Sequence, residues 1–426
     1  MMISKAGLLT KLNFLILLTF PVFFILGKSF VNLAVILLTF SCIILFLYNK
    51  INPFSKIENI LFSIFFTYIF INTLINYSEF DNTLKSIALF RYIFFSTAIA
   101  YTLNNVSIEQ LKKIKYFYSF IIFFVIIDII FQYYFGFDIF GFKPGMCREE
   151  QCERYQGPFS KELIAGSFFA YFGLITTLFF FNGKILNLFF LILGIAILIT
   201  GDRSPFVAYI IFFVTYIIIF NQKFWKKIIL IFFSFIIFFF VLNLFNSTKT
   251  RYYDFAKDIT YSGIKKNETS KNVKDFLKEV KDSPWGKHYQ VAWAMFLDKP
   301  INGHGYNSFQ IKCKKYEEIT NTNTGKFRGC STHPHNAFLE ILAEQGLIGF
   351  LILNVIIFYI LNKILTLKFK NKKMKIKFIL SGVLFLCFYF PFKPTGSLFS
   401  VWLGSITFFV YSFYLFFLDK NKSNNS

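Results

Sequence analysis

The sequence predicts an all-α polytopic membrane protein with about twelve transmembrane helices and a large, mainly helical periplasmic loop between helices 9 and 10. The mean hydropathy is +0.55, and 55% of the residues are hydrophobic whereas only 16% are charged. A soluble protein of this length would need a more charged surface. The apolar residues form runs of about 17–21, long enough to cross a bilayer as helices. The short loops between these runs alternate in positive charge, as in a multi-pass membrane protein.

The apolar runs give the predicted spans. The first run follows lysines and resembles a secretory signal, but it lacks a small-residue cleavage site, so we interpret it as a span. The spans are predicted near residues 9–26, 30–48, 58–76, 86–103, 116–135, 163–181, 185–200, 205–221, 227–246, 345–366, 377–391 and 399–418.

The alternating loop charge orients these spans. Lysines are concentrated in alternate loops, for example at Lys112, Lys113 and Lys115 and in the run 368–377. The positive-inside rule predicts that these loops are cytoplasmic. Both termini are then cytoplasmic, in a multi-pass inner-membrane protein.

The domain organisation follows from the spans. Residues 1–246 hold helices 1–9 with a smaller periplasmic loop at 136–162, residues 247–344 form the large periplasmic loop, residues 345–418 hold helices 10–12, and residues 419–426 form a disordered cytoplasmic tail.

The cysteines support this orientation. Cys147 and Cys152 share the smaller outer loop, and Cys313 and Cys330 share the large one. Such pairs are typical of disulfides in an oxidising compartment. Zinc binding is the competing interpretation, although neither pair has CxxC spacing.

The large loop also concentrates the histidines and positive charge. All four histidines, His288, His304, His333 and His335, lie in it. Between residues 247 and 336 there are sixteen Lys and Arg against nine Asp and Glu. A basic surface beside the bilayer favours an anionic partner, such as a lipid-linked phosphate or an acidic glycan.

The end of this loop predicts a helix start. Pro334 fits a first helical turn, with Thr332 or His333 as the cap. His335 and Asn336 would then lie at a helix amino terminus, where free N–H groups and the helix dipole favour an anion.

The same helix predicts a polar stripe. Asn336, Glu340 and Glu344 are spaced i, i+4 and i+8, so their side chains share one face. Glu344 is therefore a further candidate for contact with a substrate.

Three arginines lie at or in the predicted membrane region. Arg203 is in the tight turn 200–204 between two spans, and Arg251 directly follows the ninth span. Arg91 and Asp128 lie inside spans four and five at similar depth. An intramembrane charge indicates function by default, and either an Arg91–Asp128 ion pair or phosphate binding by Arg91 accounts for this one.

The motifs resemble those of the bacterial O-antigen ligase family, which belongs to a superfamily with O-antigen polymerases and protein O-oligosaccharyltransferases. The main resemblance is His335-Asn336, nine residues, and then Gly346-x-x-Gly349. Four further segments resemble family motifs: 154–159, 200–204, 293–308 and 391–402.

The resemblance implies a metal-independent, inverting glycosyl transfer that needs no cofactor and no nucleic acid. A glycan on undecaprenyl pyrophosphate would pass to a hydroxyl of lipid A-core. His335 would act as general base or orient the acceptor, and Arg203 would neutralise the departing pyrophosphate together with Arg251 or His288. Asn336, Arg154, Arg91 and Glu344 are the remaining candidates for substrate binding.

Other functions remain open from the sequence. An O-antigen polymerase joining repeat units is the nearest alternative, followed by a protein O-oligosaccharyltransferase. A transporter of lipid-linked glycans would need more charge at mid-membrane. A zinc site at His333-x-His335 would need a third ligand.

Overall fold

The computed structural model of the chain describes residues 5–76, 80–148, 151–180, 184–220, 224–245, 248–254, 281, 283–323, 328–391 and 393–423. Within these residues the regular secondary structure is helical apart from one β-hairpin.

The amino-terminal part is a series of helices joined by short turns. They are α1 (Lys5–Leu26), α2 (Lys28–Leu47), α3 (Ile57–Ile75), α4 (Phe80–Ile87), α5 (Arg91–Asn105) and α6 (Ile108–Phe135). Ser107 begins α6 with a capping box, in which its side chain accepts from the N–H of Gln110 and the Gln110 side chain accepts from the N–H of Ser107.

The smaller outer loop contains the β-hairpin, β1 (Gly145–Arg148) and β2 (Gln151–Arg154), which is antiparallel with Cys147 opposite Cys152. Apolar helices follow it: α7 (Ala165–Phe168), a π-helical turn (Phe169–Gly173), α8 (Leu174–Phe180), α9 (Lys184–Ile199), α10 (Arg203–Ile219) and α11 (Phe224–Leu244).

The described part of the large loop contains α12 (Pro284–Asp298) and α13 (Ser308–Ile319). Three long helices complete the chain: α14 (Ala337–Thr366), α15 (Lys372–Leu386) and α16 (Val401–Ser423).

The predicted fold class is confirmed. Each predicted span overlaps a helix, and eight of the described helices are long and apolar enough to cross a membrane. Three shorter apolar helices, Ala165–Leu178, Ile185–Ile199 and Arg203–Ile219, coincide with predicted spans six to eight. The protein is therefore a multi-pass α-helical membrane protein. One detail differs, because residues 419–423 of the expected disordered tail continue α16.

Helix α16 is the most enclosed of the candidate spans, with 89% of its most apolar stretch buried. Its Phe408 ring stacks on Tyr92 of α5 at 5.1 Å between centroids. Towards its other end, Tyr414 donates to the buried carboxylate of Glu58 at 3.0 Å, which Lys363 of α14 also contacts at 2.7 Å. Breaking such a buried pair costs about 3–5 kcal/mol, so α3, α14 and α16 are firmly joined.

Candidate active site

A cavity of about 1350 Å³ lies where the large loop meets the ends of the apolar helices. Its walls come from segments that are far apart in the chain: the turn between α1 and α2, the start of α5, the segment before α7, the turn 200–204, the loop helices and the segment between α15 and α16. The cavity is the natural place to look for the predicted site residues.

The helix after the histidines begins later than expected. Asn336 is the N-cap of α14, and its Oδ1 accepts from the N–H groups of Phe338 at 3.0 Å and Leu339 at 3.1 Å. The expectation that Thr332 or His333 caps the helix is therefore wrong. The reason is that His335 has a φ of 57°, a left-handed conformation that does not belong to an α-helix, so the helix begins only after it.

His335 lies on the cavity wall and is held by its own backbone. Its carbonyl accepts from the N–H of Thr395 at 3.0 Å, and its ring is 4.1 Å from that of His333. Burial lowers the pKa of His335 to about 4, with a smaller lowering by His288 that a hydrogen bond with the backbone of Thr395 opposes. At neutral pH the imidazole is uncharged and can accept a proton.

His288 lies behind His335 rather than on the cavity wall. Its Nδ1 is 2.8 Å from the carbonyl oxygen of Gly329, and its ring centroid is 5.2 Å from that of His335. Of the two candidates for the second phosphate-binding group, Arg251 lines the cavity and His288 does not.

Arg203 and Arg251 both line the cavity and connect the 200–204 turn with the large loop. Arg203 is the first residue of α10, and its guanidinium lies 5.0 Å from the ring centroid of Trp285 in α12. Arg251 donates from Nε to the carbonyl of Gly201 at 3.3 Å. The turn between two spans is therefore tied both to the loop and to the segment after α11.

Arg154 is brought to the same wall by an ion pair with Asp202. Asp202 also accepts from the N–H of Gly166 at 3.0 Å. A Cβ on Gly166 would come within 2.5 Å of the Cβ of Asp202, so only glycine permits this approach. The 154–159 segment and the 200–204 turn are thus adjacent.

The expected Arg91–Asp128 ion pair is wrong within the described structure. Asp128 accepts from the N–H of Ile139 at 2.8 Å and so closes the turn after α6. Arg91 instead lines the cavity, where its guanidinium carbon is 5.0 Å from the ring of Tyr92 and its Nη2 donates to Tyr92 Oη at 3.3 Å. Sequence depth alone could not show that the two side chains face different neighbours.

The stripe of Asn336, Glu340 and Glu344 is buried, and its members hold the segments around the site. Glu340 accepts from Ser397 Oγ at 2.7 Å. Glu344 was expected near a substrate, but its two carboxylate oxygens accept from the N–H groups of Asn307 at 2.9 Å and Phe309 at 3.1 Å. Glu344 does not line the cavity. Its two hydrogen bonds instead fix the start of α13.

The glycine signature couples α14 to the end of α12. Gly346 has a φ of 64° and interrupts the helix, which frees two N–H groups for other acceptors. Leu347 donates to the carbonyl of Pro300 at 2.8 Å, and Ile348 donates to that of Ile301 at 3.1 Å. The 293–308 segment and the glycine motif are therefore one structural unit.

The 391–402 segment joins the two halves of the site, which are the start of α14 and the 200–204 turn. Its Pro391 carbonyl accepts from Asn336 Nδ2 at 2.7 Å, and its Pro394 carbonyl accepts from Ser204 Oγ at 2.6 Å. The segment also contributes Lys393, a buried amine on the cavity wall. Sequence reasoning missed Lys393 and Trp285, although both lie in or beside segments that it had singled out.

Both predicted disulfides are present, Cys147–Cys152 and Cys313–Cys330. The second ties α13 to the segment that leads to His335. Among the described residues, no group of three His, Cys, Asp or Glu side chains is arranged to hold a metal ion.

Residues 188–354 match the family model described as O-Antigen ligase. This part of the chain is therefore similar to an O-antigen ligase domain. The matched region begins in α9 and ends in α14, so it includes Arg203, Arg251 and His335, whereas Arg154 and Lys393 lie outside it.

Two curated proteins are similar to short parts of the chain. A protein of Rickettsia felis (strain ATCC VR-1525 / URRWXCal2) named "Putative polysaccharide ligase" is 29% identical over 98 residues, which cover 22% of this chain and 24% of that protein. A similarly named protein of Rickettsia conorii (strain ATCC VR-613 / Malish 7) is 26% identical over 129 residues, covering 29% of this chain and 30% of that protein. The matches thus span less than a third of either relative.

Proposed function

We propose that this protein is an O-antigen ligase-like glycosyltransferase that moves a glycan from undecaprenyl pyrophosphate to a hydroxyl of a lipid A-core acceptor on the periplasmic face of the inner membrane. One observation carries the proposal, namely that a single cavity combines a neutral histidine with a set of arginines. These side chains are His335, Arg91, Arg154, Arg203 and Arg251.

The arginines suit a lipid-linked diphosphate. A guanidinium presents several N–H donors in a fixed plane and matches phosphate oxygens well. When the glycosidic C–O bond breaks, the electron pair stays on the pyrophosphate oxygen, so negative charge grows beside these groups. The prenyl chain would remain in the bilayer, since the cavity lies at the ends of apolar helices.

His335 would serve the acceptor. The acceptor hydroxyl gives its proton to the imidazole, and its oxygen forms the new bond to the anomeric carbon as the bond to pyrophosphate breaks. Attack from the side opposite the leaving group inverts the configuration. The donor is already activated by its pyrophosphate. The side chains therefore need only to orient the substrates, neutralise the departing pyrophosphate and accept one proton.

The orientation is part of the proposal. The cavity is bordered by loop segments that also contain the Cys313–Cys330 disulfide, and disulfides persist in the periplasm rather than the cytoplasm. Both chain ends would then be cytoplasmic.

The test is genetic and uses matched variants. The gene is deleted, and lipopolysaccharide is examined on a gel after complementation with wild type, His335→Ala, Arg203→Ala or Arg328→Ala. Arg328 is exposed and does not line the cavity, so it controls for loss of an arginine. Protein levels are compared by immunoblot.

We expect His335→Ala and Arg203→Ala to abolish polymer on lipid A-core while lipid-linked polymer accumulates, because loss of a general base alone lowers rates by about 10²–10⁴-fold. Core carrying a single repeat in the deletion strain would indicate a polymerase instead. Full activity of His335→Ala would remove that residue from the mechanism.

A further inference from the structure

The segment between α15 and α16 places a lysine at the junction of the two halves of the site. Lys393 precedes Pro394, whose carbonyl accepts from Ser204 beside Arg203, and lies two residues before Thr395, whose N–H donates to the His335 carbonyl. Its backbone is therefore fixed between the proposed base and the arginine turn.

The Lys393 side chain is enclosed, being only 3% exposed, yet it belongs to the cavity wall. Its amine donates to the phenol oxygen of Tyr171 at 3.1 Å. It also lies 5.9 Å from the Tyr171 ring and 5.6 Å from the Phe388 ring, and these two rings stack on each other at 4.1 Å.

These partners do not balance the charge of a buried ammonium. Cation–π attraction extends to about 6 Å from a ring centroid, so both ring contacts are near its outer limit. Among the described residues no carboxylate forms an ion pair with Lys393, and Asp202, on the same cavity wall, is already paired with Arg154. A buried cation without an anion is costly, and a ligand that brings negative charge into the cavity would remove the cost.

We propose that Lys393 is a further phosphate-binding residue of this site and contacts the diphosphate of the lipid-linked donor. The proposal rests on the proposed function, since it assumes that donor class. Lys393 would supply a point charge from the cavity wall, complementing the planar guanidinium groups of Arg203 and Arg251 on the same wall.

The titration of Lys393 offers a readout that packing would not. Burial lowers the pKa of Lys393 to about 8. A bound anion stabilises the charged amine, so binding above pH 8 requires proton uptake and the affinity falls as the pH rises. The titratable groups beside the amine are Tyr171 and Cys387. In Lys393→Arg the side chain would remain charged over this whole pH range.

The experiment measures binding of a short-chain polyprenyl diphosphate N-acetylglucosamine to the full-length protein in detergent. The two phosphates of this diester do not titrate between pH 7 and 9.5. Wild type is compared with Lys393→Met, Lys393→Arg and Lys143→Met, since Lys143 is exposed and outside the cavity. Thermal melting of each variant reports folding.

We expect Lys393→Met to weaken binding by about 10- to 100-fold, the order of one charge-assisted hydrogen bond. Lys143→Met should bind like wild type, and Lys393→Arg should bind with a flatter dependence on pH between 7 and 9.5. If Lys393→Met does not fold, the pH dependence of Lys393→Arg against wild type decides. Equal pH slopes, or unchanged affinity of folded Lys393→Met, overturn the role of Lys393 while wild-type binding leaves the proposed donor intact. No binding by wild type overturns both.

Discussion

Substitution of Gly346 by alanine offers a quantitative test of how α14 is built. Gly346 has a φ of 64° and a ψ of −166°, a region that is essentially reserved for glycine and costs other residues about 1–3 kcal/mol. A Cβ at this position would also lie 2.4 Å from the carbonyl oxygen and 2.5 Å from the carbonyl carbon of Ile301. Because both atoms are backbone, they cannot rotate away, and overpacking of this kind adds about 1–3 kcal/mol.

Two other glycines separate these contributions. Gly27 has a φ of 111° and a ψ of 177°, so it shares the same strained region, but a Cβ there would meet nothing within 4 Å. Gly396 has no positive φ, and a Cβ there would first meet Leu403 at 4.0 Å. We therefore expect the free energy of unfolding to fall by about 1–3 kcal/mol in Gly27→Ala and by about 2–6 kcal/mol in Gly346→Ala, and to change little in Gly396→Ala.

The assay is thermal unfolding of the purified variants in one detergent, followed by tryptophan fluorescence. The midpoints should fall in the order Gly396→Ala, Gly27→Ala, Gly346→Ala, with the last lowest. Gly346→Ala should also lose transfer activity, because the kink holds loop residues 300 and 301 through the N–H groups of Leu347 and Ile348. A midpoint for Gly346→Ala equal to that of Gly27→Ala would refute the close backbone contact.

Three further outcomes are expected. Asn336→Ala should lower the free energy of unfolding by about 1–3 kcal/mol, because it removes the cap of α14 and a donor to a buried carbonyl. A melting midpoint unchanged from wild type would contradict the cap. Maleimide labelling of the denatured, unreduced protein should modify two cysteines, Cys42 and Cys387, and labelling after reduction should modify all six; six before reduction would exclude the disulfides. Burial lowers the pKa of His333 from 6.5 to about 3 and that of His335 from 6.5 to about 4. The unfolded chain therefore takes up protons at a higher pH than the folded protein does. The free energy of unfolding should fall as the pH drops from 6.5 to about 4. Melting midpoints across that range should fall more steeply for wild type than for a His333→Gln, His335→Gln double variant, and parallel curves would contradict the assignment.

Most of the fold follows from local features of the sequence. Runs of apolar residues determine where helices can cross a membrane, since each backbone group must be satisfied within its own segment. The predicted spans accordingly overlap the helices, and the misplaced boundaries are at helix ends. The start of α14 is one case, because His335 is left-handed and its carbonyl accepts from the N–H of Thr395, sixty residues later in the chain.

The candidate site is only partly local. His335, Arg203 and Asn336 could be singled out because polar groups at the ends of apolar helices are unusual in themselves. Arg91 and Asp128 show the limit, since equal depth suggested a pair, whereas the structure directs Arg91 to the cavity and Asp128 to the turn after α6. Which way a side chain faces depends on how its helix is rotated against its neighbours, and that is a property of packing.

The sequence by itself therefore determined the class of the protein, the helices, the paired cysteines and the segments that carry its polar chemistry, because each of these depends on composition and spacing along one stretch of chain. Only the tertiary structure decided that Arg251 and not His288 lines the cavity, that Glu344 holds a loop, and that Lys393 belongs to the site. These assignments depend on contacts between segments separated by dozens to hundreds of residues, and no local pattern records such contacts.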